Sequence, residues 1–294
     1  VPDLHPDCIA YLEDLAALGL PANTVHEIRA RYRTLCARYA GPLVPVARIV
    51  HLSAPVHARL YENNPAAPLL VWFHGGRIIS GDLDTHDSLC RQLAKSSGWR
   101  VLSVAYRLAP EHPYPAAIED AREAIALAGT LSRAVALGGD SAGASLALSM
   151  ALEAMPPAKA LVLVYPMIDA ACSSPSHREF LQGPATSSQD IRFGYHLWLP
   201  PDADPRDPDI SPFYAADLRA LPATFLLTAG IDPLRDEGLA LAARIREAGR
   251  PLTAIHEPTH IHGFLTYPAR FEAARRAIRD IAAFLRHSLQ AVDS

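Results

Sequence analysis

From residue 69 onward, short and almost wholly apolar runs alternate with stretches of helical period, and this alternation limits the fold more than any other feature of the chain. The runs are Leu69–Phe73, Trp99–Ala105, Ala134–Leu137, Ala160–Tyr165, Thr224–Thr228 and Leu252–His256. Helical stretches lie between them near Leu89, Ala124, Leu146 and Leu241, with a last one from Ala269 to Leu289. A strand that is apolar on both faces must be covered on both faces, and strands joined through helices pair in parallel. The pattern therefore predicts an α/β fold with a mostly parallel sheet between two helical layers. Two earlier runs, Val44–Leu52 and Val56–Tyr61, follow one another without a helix and should pair directly, giving eight strands in all.

Two segments stand outside the alternation. Cys8, Leu12, Leu15 and Leu18 recur at helical spacing until Gly19 and Pro21. The capping box Thr24-x-x-Glu27 then starts a second helix carrying Ile28, Tyr32, Leu35 and Tyr39. Residues from about 173 to 215 form no strand, are rich in Pro and Asp, and carry Phe180, Phe193, Tyr195, Trp198, Phe213 and Tyr214. The expected division is residues 1–42 as N-terminal cap helices and 43–294 as the catalytic domain, with a cap insertion at about 173–215. Together the two covers would roof the strand ends, where open α/β sheets bind ligands. The aromatic residues of the insertion suggest an apolar acyl pocket.

The formal net charge of -4 comes from acids and bases scattered along the whole chain, which argues against a nucleic-acid partner. Cys8, Cys36, Cys90 and Cys172 form no CxxC pair or Cys/His cluster, so neither a disulfide framework nor a metal site is expected. Val1 to His5 lack the basic and apolar regions of a signal peptide, and the apolar stretch 160–168 is too short to span a bilayer. The expectation is a soluble, cytoplasmic protein without stable membrane insertion.

Gly139-Asp140-Ser141-Ala142-Gly143 follows a buried run and opens a helix of small residues, the strand, sharp turn and helix of a nucleophile elbow. The turn puts the serine in a strained conformation, and a Cβ at either glycine would collide with a neighbouring element. Unpaired amides at the helix start offer partial positive charge where an oxyanion would form. The competing reading makes Ser141 an ordinary helix N-cap.

With the elbow placed, other segments become recognisable: His74-Gly75-Gly76, the run Gly81 to Asp87, the run Tyr106 to Ala117, Asp232-Pro233-Leu234-Arg235-Asp236-Glu237-Gly238 and His262-Gly263-Phe264. In this order they resemble the bacterial hormone-sensitive-lipase-like esterases of the α/β-hydrolase superfamily. The resemblance implies that Ser141 attacks an ester carbonyl, His262 takes and returns its proton, and Asp232 orients the imidazole. The order Ser, Asp, His is the one α/β-hydrolases use. It also implies that the amides of Gly75, Gly76 and Ala142 form the oxyanion hole. Spacing alone leaves His256 and His260 as rivals of His262; the His-Gly-Phe motif selects His262, with His260 a loop residue and His256 structural. His74 should hold its loop through backbone hydrogen bonds, and Asp236 and Glu237 should complement the N-terminus of their helix.

Arg77-Ile78 departs from the family, which usually has a third glycine and then a large apolar residue. Arg77 is expected either to pair with Asp82, Asp84 or Glu111, or to line the pocket and bias substrate choice. Arg107 should be buried and paired with Glu111 or Asp120. The expected activity is hydrolysis of short- to medium-chain uncharged carboxylic esters through an acyl-enzyme, with no cofactor and a small-molecule ester as the partner. An amidase, lactonase or carbamate hydrolase on the same triad is the nearest alternative, and a non-catalytic ligand-binding receptor the alternative from another class. Similar enzymes dimerise through the last strand, so a homodimer is also considered.

Overall fold

The structure, a computed structural model, describes residues 3–153 and 157–290. Val1 and Pro2, at the start of the expected cap, residues 154–156, and the end of the expected catalytic segment at 291–294 lie outside the described residues.

Helices α1 (Pro6–Leu18) and α2 (Val25–Tyr39) come first. Pro6 starts α1 where its missing N–H goes unneeded, and Gly19, left-handed at φ 54°, stops it. The capping box of α2 forms as expected: the Glu27 amide donates to Thr24 Oγ1 at 3.2 Å, and the Glu27 carboxylate accepts from the Thr24 amide at 3.1 Å. There follow β1 (Arg48–Leu52), β2 (Ala58–Glu62), β3 (Leu69–Phe73), α3 (Asp87–Ser97), β4 (Arg100–Val104), α4 (Ala116–Leu131), β5 (Val135–Asp140) and α5 (Ala142–Glu153). The chain continues through β6 (Ala160–Val164), α6 (Pro175–Glu179), α7 (Ser188–Trp198), β7 (Ala223–Ile231), α8 (Arg235–Glu247), β8 (Leu252–Ile261) and α9 (Glu272–Gln290).

The eight strands form one sheet in the order β1-β2-β4-β3-β5-β6-β7-β8. Strand β2 is antiparallel to both β1 and β4, and every other pairing is parallel. Alternate residues of β3 enter different layers, as the pleat requires. Leu69, Val71 and Phe73 pack with Ala121, Ala124 and Leu146 of α4 and α5, while Leu70 and Trp72 pack with Leu89, Leu93, Ile278 and Ile281 of α3 and α9. Full burial of each such aliphatic side chain contributes about 1.5–3 kcal/mol.

Two strands run further than the sequence reading placed them. The run expected to end at Thr228 continues through Ala229 and Gly230 to Ile231 as β7, and β8 passes through Pro258 to Ile261. Proline is tolerated there because β8 is the sheet's edge, and the register shifts between Ala229 and Ile231. Gly230 is required at this irregularity, since a Cβ would lie 2.0 Å from the Pro258 carbonyl oxygen. At the other end β1 begins only at Arg48, after Pro45.

Because β3, β5, β7 and β8 are parallel, they finish at one edge of the sheet. The residues directly after them are His74, Ser141, Asp232 and His262.

Candidate active site

Ser141 sits between β5 and α5 with φ 54°, a left-handed conformation that costs a non-glycine residue about 1–3 kcal/mol. The surroundings over-determine it. The Ser141 amide donates to the Val164 carbonyl at 2.9 Å, and its own carbonyl accepts from the Met167 amide at 3.1 Å. A Cβ on Gly139 would stand 2.4 Å from the Gly143 backbone, and one on Gly143 2.0 Å from the Phe73 carbonyl oxygen, so the elbow closes only with glycine at both positions.

His262 reaches both of the other expected residues. Its Nε2 lies 2.9 Å from Ser141 Oγ and its Nδ1 2.7 Å from Asp232 Oδ2. The Asp232 carboxylate is fully buried, and its second oxygen accepts from the Leu234 amide at 2.8 Å. A carboxylate fixed at Nδ1 keeps the proton there and leaves Nε2 as an acceptor facing the hydroxyl. Tyr165 packs against the His262 ring at 4.6 Å between centroids, and the Leu265 amide donates to its hydroxyl at 3.3 Å. Sequence reading passed over Tyr165, which carries no motif and serves the site only through packing.

The loop after β3 differs in detail from the expectation. Burial alone would raise the pKa of Asp140, but the nearby His86, 3.1 Å away, His74 and the Gly75 amide together hold it below the ordinary carboxylate value. Gly75 is absent from the cavity wall, where Gly76 and Arg77 stand. The Gly76 and Arg77 amides have no hydrogen-bond acceptor among the described residues. Gly76 has φ 130°, and a Cβ there would lie 2.0 Å from the Ser80 carbonyl oxygen. His74 holds the loop as expected, with Nδ1 2.9 Å from the Gly75 carbonyl and its ring stacked on Tyr106 at 4.3 Å.

Above Ser141 and His262 is a cavity of about 190 Å³. Its aromatic wall comes from Tyr11, Tyr32, Tyr165 and Tyr267. The expected aromatic wall from the insertion is not found: Tyr195 and Trp198 turn into the core beside Met167 and Tyr114, and Phe193 faces solvent. What the segment between β6 and β7 gives to the cavity is Ala185, Thr186 and Asp190.

Arg77 lines this cavity at φ 60°, the strained conformation that a glycine position leads one to expect. Its partner is Asp190, at 3.2 Å, and none of Asp82, Asp84 and Glu111, which are taken by Arg33, Arg59 and Arg29. Arg107 does pair with Asp120, and also with Glu119, but it is half exposed rather than buried: Asp120 is buried, while Glu119, its second partner, lies at the surface. His256 bonds Thr228 Oγ1 at 2.9 Å within the sheet. His260 is no loop residue: it lies in β8, buried and stacked on His5 at 4.6 Å, away from the cavity.

Asp236 accepts from the Ser176 amide at 2.8 Å. Glu237, expected as a helix-end charge, is instead buried, accepting from the Ile168 amide at 2.7 Å and lying 3.2 Å from His177 Nε2. His177 Nδ1 in turn is 2.8 Å from Ser188 Oγ. Burial pushes the Glu237 carboxyl well up and the His177 imidazole down to about 4, a shift of each towards its neutral form. No sequence signal joins these three residues.

A doubly covered, mostly parallel eight-stranded sheet with a serine at a strand-to-helix elbow, hydrogen-bonded to a histidine and a buried carboxylate, defines a serine hydrolase of the α/β-hydrolase class. The family model described as "alpha/beta hydrolase fold" matches residues 70–266. The chain is 38% identical to the carboxylic ester hydrolase LipN of Mycobacterium tuberculosis, with 81% of this chain and 69% of that protein covered. It is 34% identical to the carboxylesterase NlhH of the same species, over 99% of this chain and 98% of that one. A solved esterase from the bacterial hormone-sensitive lipase family superposes with a TM-score of 0.87 at 28% identity, covering 97% of this chain and 98% of that one. The chain belongs to the α/β-hydrolase family, in its hormone-sensitive-lipase-like branch, and is a carboxylic-ester hydrolase.

Proposed function

We propose that Ser141, His262 and Asp232 carry out ester hydrolysis through an acyl-enzyme. The observation that carries this reading is the contact of one imidazole with both the elbow hydroxyl, at 2.9 Å, and a buried carboxylate, at 2.7 Å, on the wall of a cavity. Ser141 Oγ attacks the ester carbonyl while His262 Nε2 takes its proton and then passes it to the departing alcohol. The acyl group is left on Ser141. A water molecule then attacks the acyl carbonyl, His262 again taking the proton and returning it to Ser141. Asp232 holds the ring and stabilises the imidazolium that forms at each step.

The negative charge on the tetrahedral oxygen is met by backbone amides. Gly76 and Arg77, whose amides have no other acceptor, and Ala142, at the start of α5, are the donors we assign. Gly75, also expected as a donor, stands off the cavity wall. Residues 1–42 and 173–215 act as the cap, since Tyr11, Ile28 and Leu35 from one and Thr186 and Asp190 from the other wall the cavity. Its volume, about 190 Å³, is below the roughly 300–1,000 Å³ of sites for drug-sized ligands, which favours esters of short to medium chain.

Among the described residues no helix is long and apolar enough to cross a membrane. The four cysteines are all buried and unpaired, which favours a reducing compartment and hence a cytoplasmic location. Strand β8 ends the sheet with a free edge, which supports a homodimer through that strand.

A p-nitrophenyl ester series from acetyl to decanoyl, run with the wild type and Ser141→Ala, tests the reading. Activity should peak at short to medium chains and fall by about 10⁴-fold or more in the variant. Equal activity in Ser141→Ala would refute the assignment of the nucleophile.

A further inference from the structure

The cavity over Ser141 has a charge pattern that a purely apolar acyl site does not need. Helix α2 turns Ile28, Tyr32 and Leu35 towards it at helical spacing, and Arg31 shares that face. The other arginines of α2 all have carboxylate partners: Arg29 with Glu111 at 2.7 Å, Arg33 with Asp82 at 2.6 Å and Arg38 with Asp14 at 3.2 Å. Among the described residues Arg31 has neither an ion pair nor a side-chain hydrogen bond, although it stands on the wall of the site.

Arg77 adds a second cation whose hydrogen-bonding capacity is largely unused. Only Nη1 is engaged, by one 3.2 Å bond to Asp190 Oδ1. Asp190 Oδ2 already accepts from the Ser187 amide at 2.9 Å and the Ser187 hydroxyl at 2.7 Å. A guanidinium has five N–H donors, so most of those on Arg77 have no partner. The residue is also kept at φ 60°, where glycine would be free of strain, and strain held at a ligand site points to use. Burial, with a smaller push from Arg31, lowers the Arg77 pKa, in keeping with two cations enclosed together. The remaining acid on the wall, Asp140, is 2% exposed and already engaged by His86.

We propose that Arg31 and Arg77 make this cavity selective for esters that carry a second, ionised carboxylate. One such carboxylate balances the cation that Asp190 leaves uncompensated, and guanidinium groups bind carboxylates through paired N–H···O bonds. The substrate class is then a monoester of a dicarboxylic acid or an O-acylated hydroxy acid. This inference rests on the esterase reading and alters only what the ester bears.

The test compares kcat/KM, by pH-stat titration, for monomethyl succinate, glutarate and adipate against methyl butyrate, pentanoate and hexanoate, which places the carboxylate on the acyl side. O-acetyl glycolate against ethyl acetate places it on the alcohol side. On one of the two arms the anionic ester should be preferred by about tenfold to a hundredfold, the worth of charge-assisted hydrogen bonds at such a site. Arg31→Gln should reduce that ratio by about tenfold, and Asp190→Asn, which releases Arg77, should raise it. Preference for the neutral ester on both arms overturns the inference, as does a ratio that neither variant moves. In those cases turnover of the neutral esters leaves the esterase reading standing, whereas no turnover of any ester, p-nitrophenyl acetate included, removes both.

Discussion

Two serine–histidine–carboxylate chains run through this molecule, one at the carboxyl edge of the sheet and one beneath α6 and α7, and their hydrogen bonds have similar lengths. Ser141, His262 and Asp232 are linked at 2.9 and 2.7 Å; Ser188, His177 and Glu237 are linked at 2.8 and 3.2 Å. The surroundings separate them. Ser141 and His262 stand on the wall of a cavity beside free backbone amides, whereas Ser188 and His177 are 0% and 1% exposed and do not line that cavity. Burial also disfavours charge in the second chain, pushing the Glu237 carboxyl well up and the His177 imidazole down to about 4, which makes that imidazole a weak base. Its work is to tie α6 and α7 to α8, three residues beyond Asp232. Distances alone therefore do not make a catalytic triad; access and donors for an oxyanion are needed as well.

The difference can be broken or sharpened by substitution. The largest effect is expected from Asp232→Asn, which keeps the shape but allows the wrong imidazole tautomer: kcat should fall by about 10⁴-fold with little change in thermal midpoint. Gly76→Ala comes next, since its Cβ would meet the Ser80 carbonyl and displace the amides assigned to the oxyanion; kcat should drop by about 10²–10³-fold in protein that is still folded by circular dichroism.

Burial itself has a pH signature, which His74 reports without a direct carboxylate bond. Its pKa is lowered to about 4, chiefly by burial, against 6.5 for an ordinary histidine. Between those values the unfolded chain binds a proton that the folded one refuses, so stability is full above pH 6.5 and declines as the pH falls towards 4. The loss should approach about 3 kcal/mol, measured by urea unfolding at a series of pH values, and His74→Asn should flatten that part of the profile. The smallest effect separates the two serines. Ser188→Ala should leave kcat/KM within a few-fold of wild type while lowering stability by about 1–3 kcal/mol, because His177 loses a buried partner.

Much of this was legible before any coordinates. The strand-helix alternation determined the layering, and the elbow glycines, Asp232 and His262 carried their positions in local motifs. What stayed hidden depends on contacts distant in the chain. The last two strands were expected to end at Thr228 and His256, because the edge position of β8, which tolerates Pro258, is a property of the assembled sheet. Arg77 was matched to acids near it in sequence, yet those acids face α2 and β2, and Asp190 reaches it from α7. The aromatic residues of the insertion suggested a pocket lining, but the face that α7 turns inward is set by packing against Tyr114 and Met167. Glu237 had the sequence position of a helix-end charge, and only tertiary packing buried it.

The contrast between the two chains is tested most directly by treating the folded protein with a fluorophosphonate at neutral pH and locating the adduct by peptide mass mapping. A single phosphonylated residue, Ser141, is the expected result. An adduct on Ser188, or folded protein that acquires none, would contradict the assignment of the catalytic site.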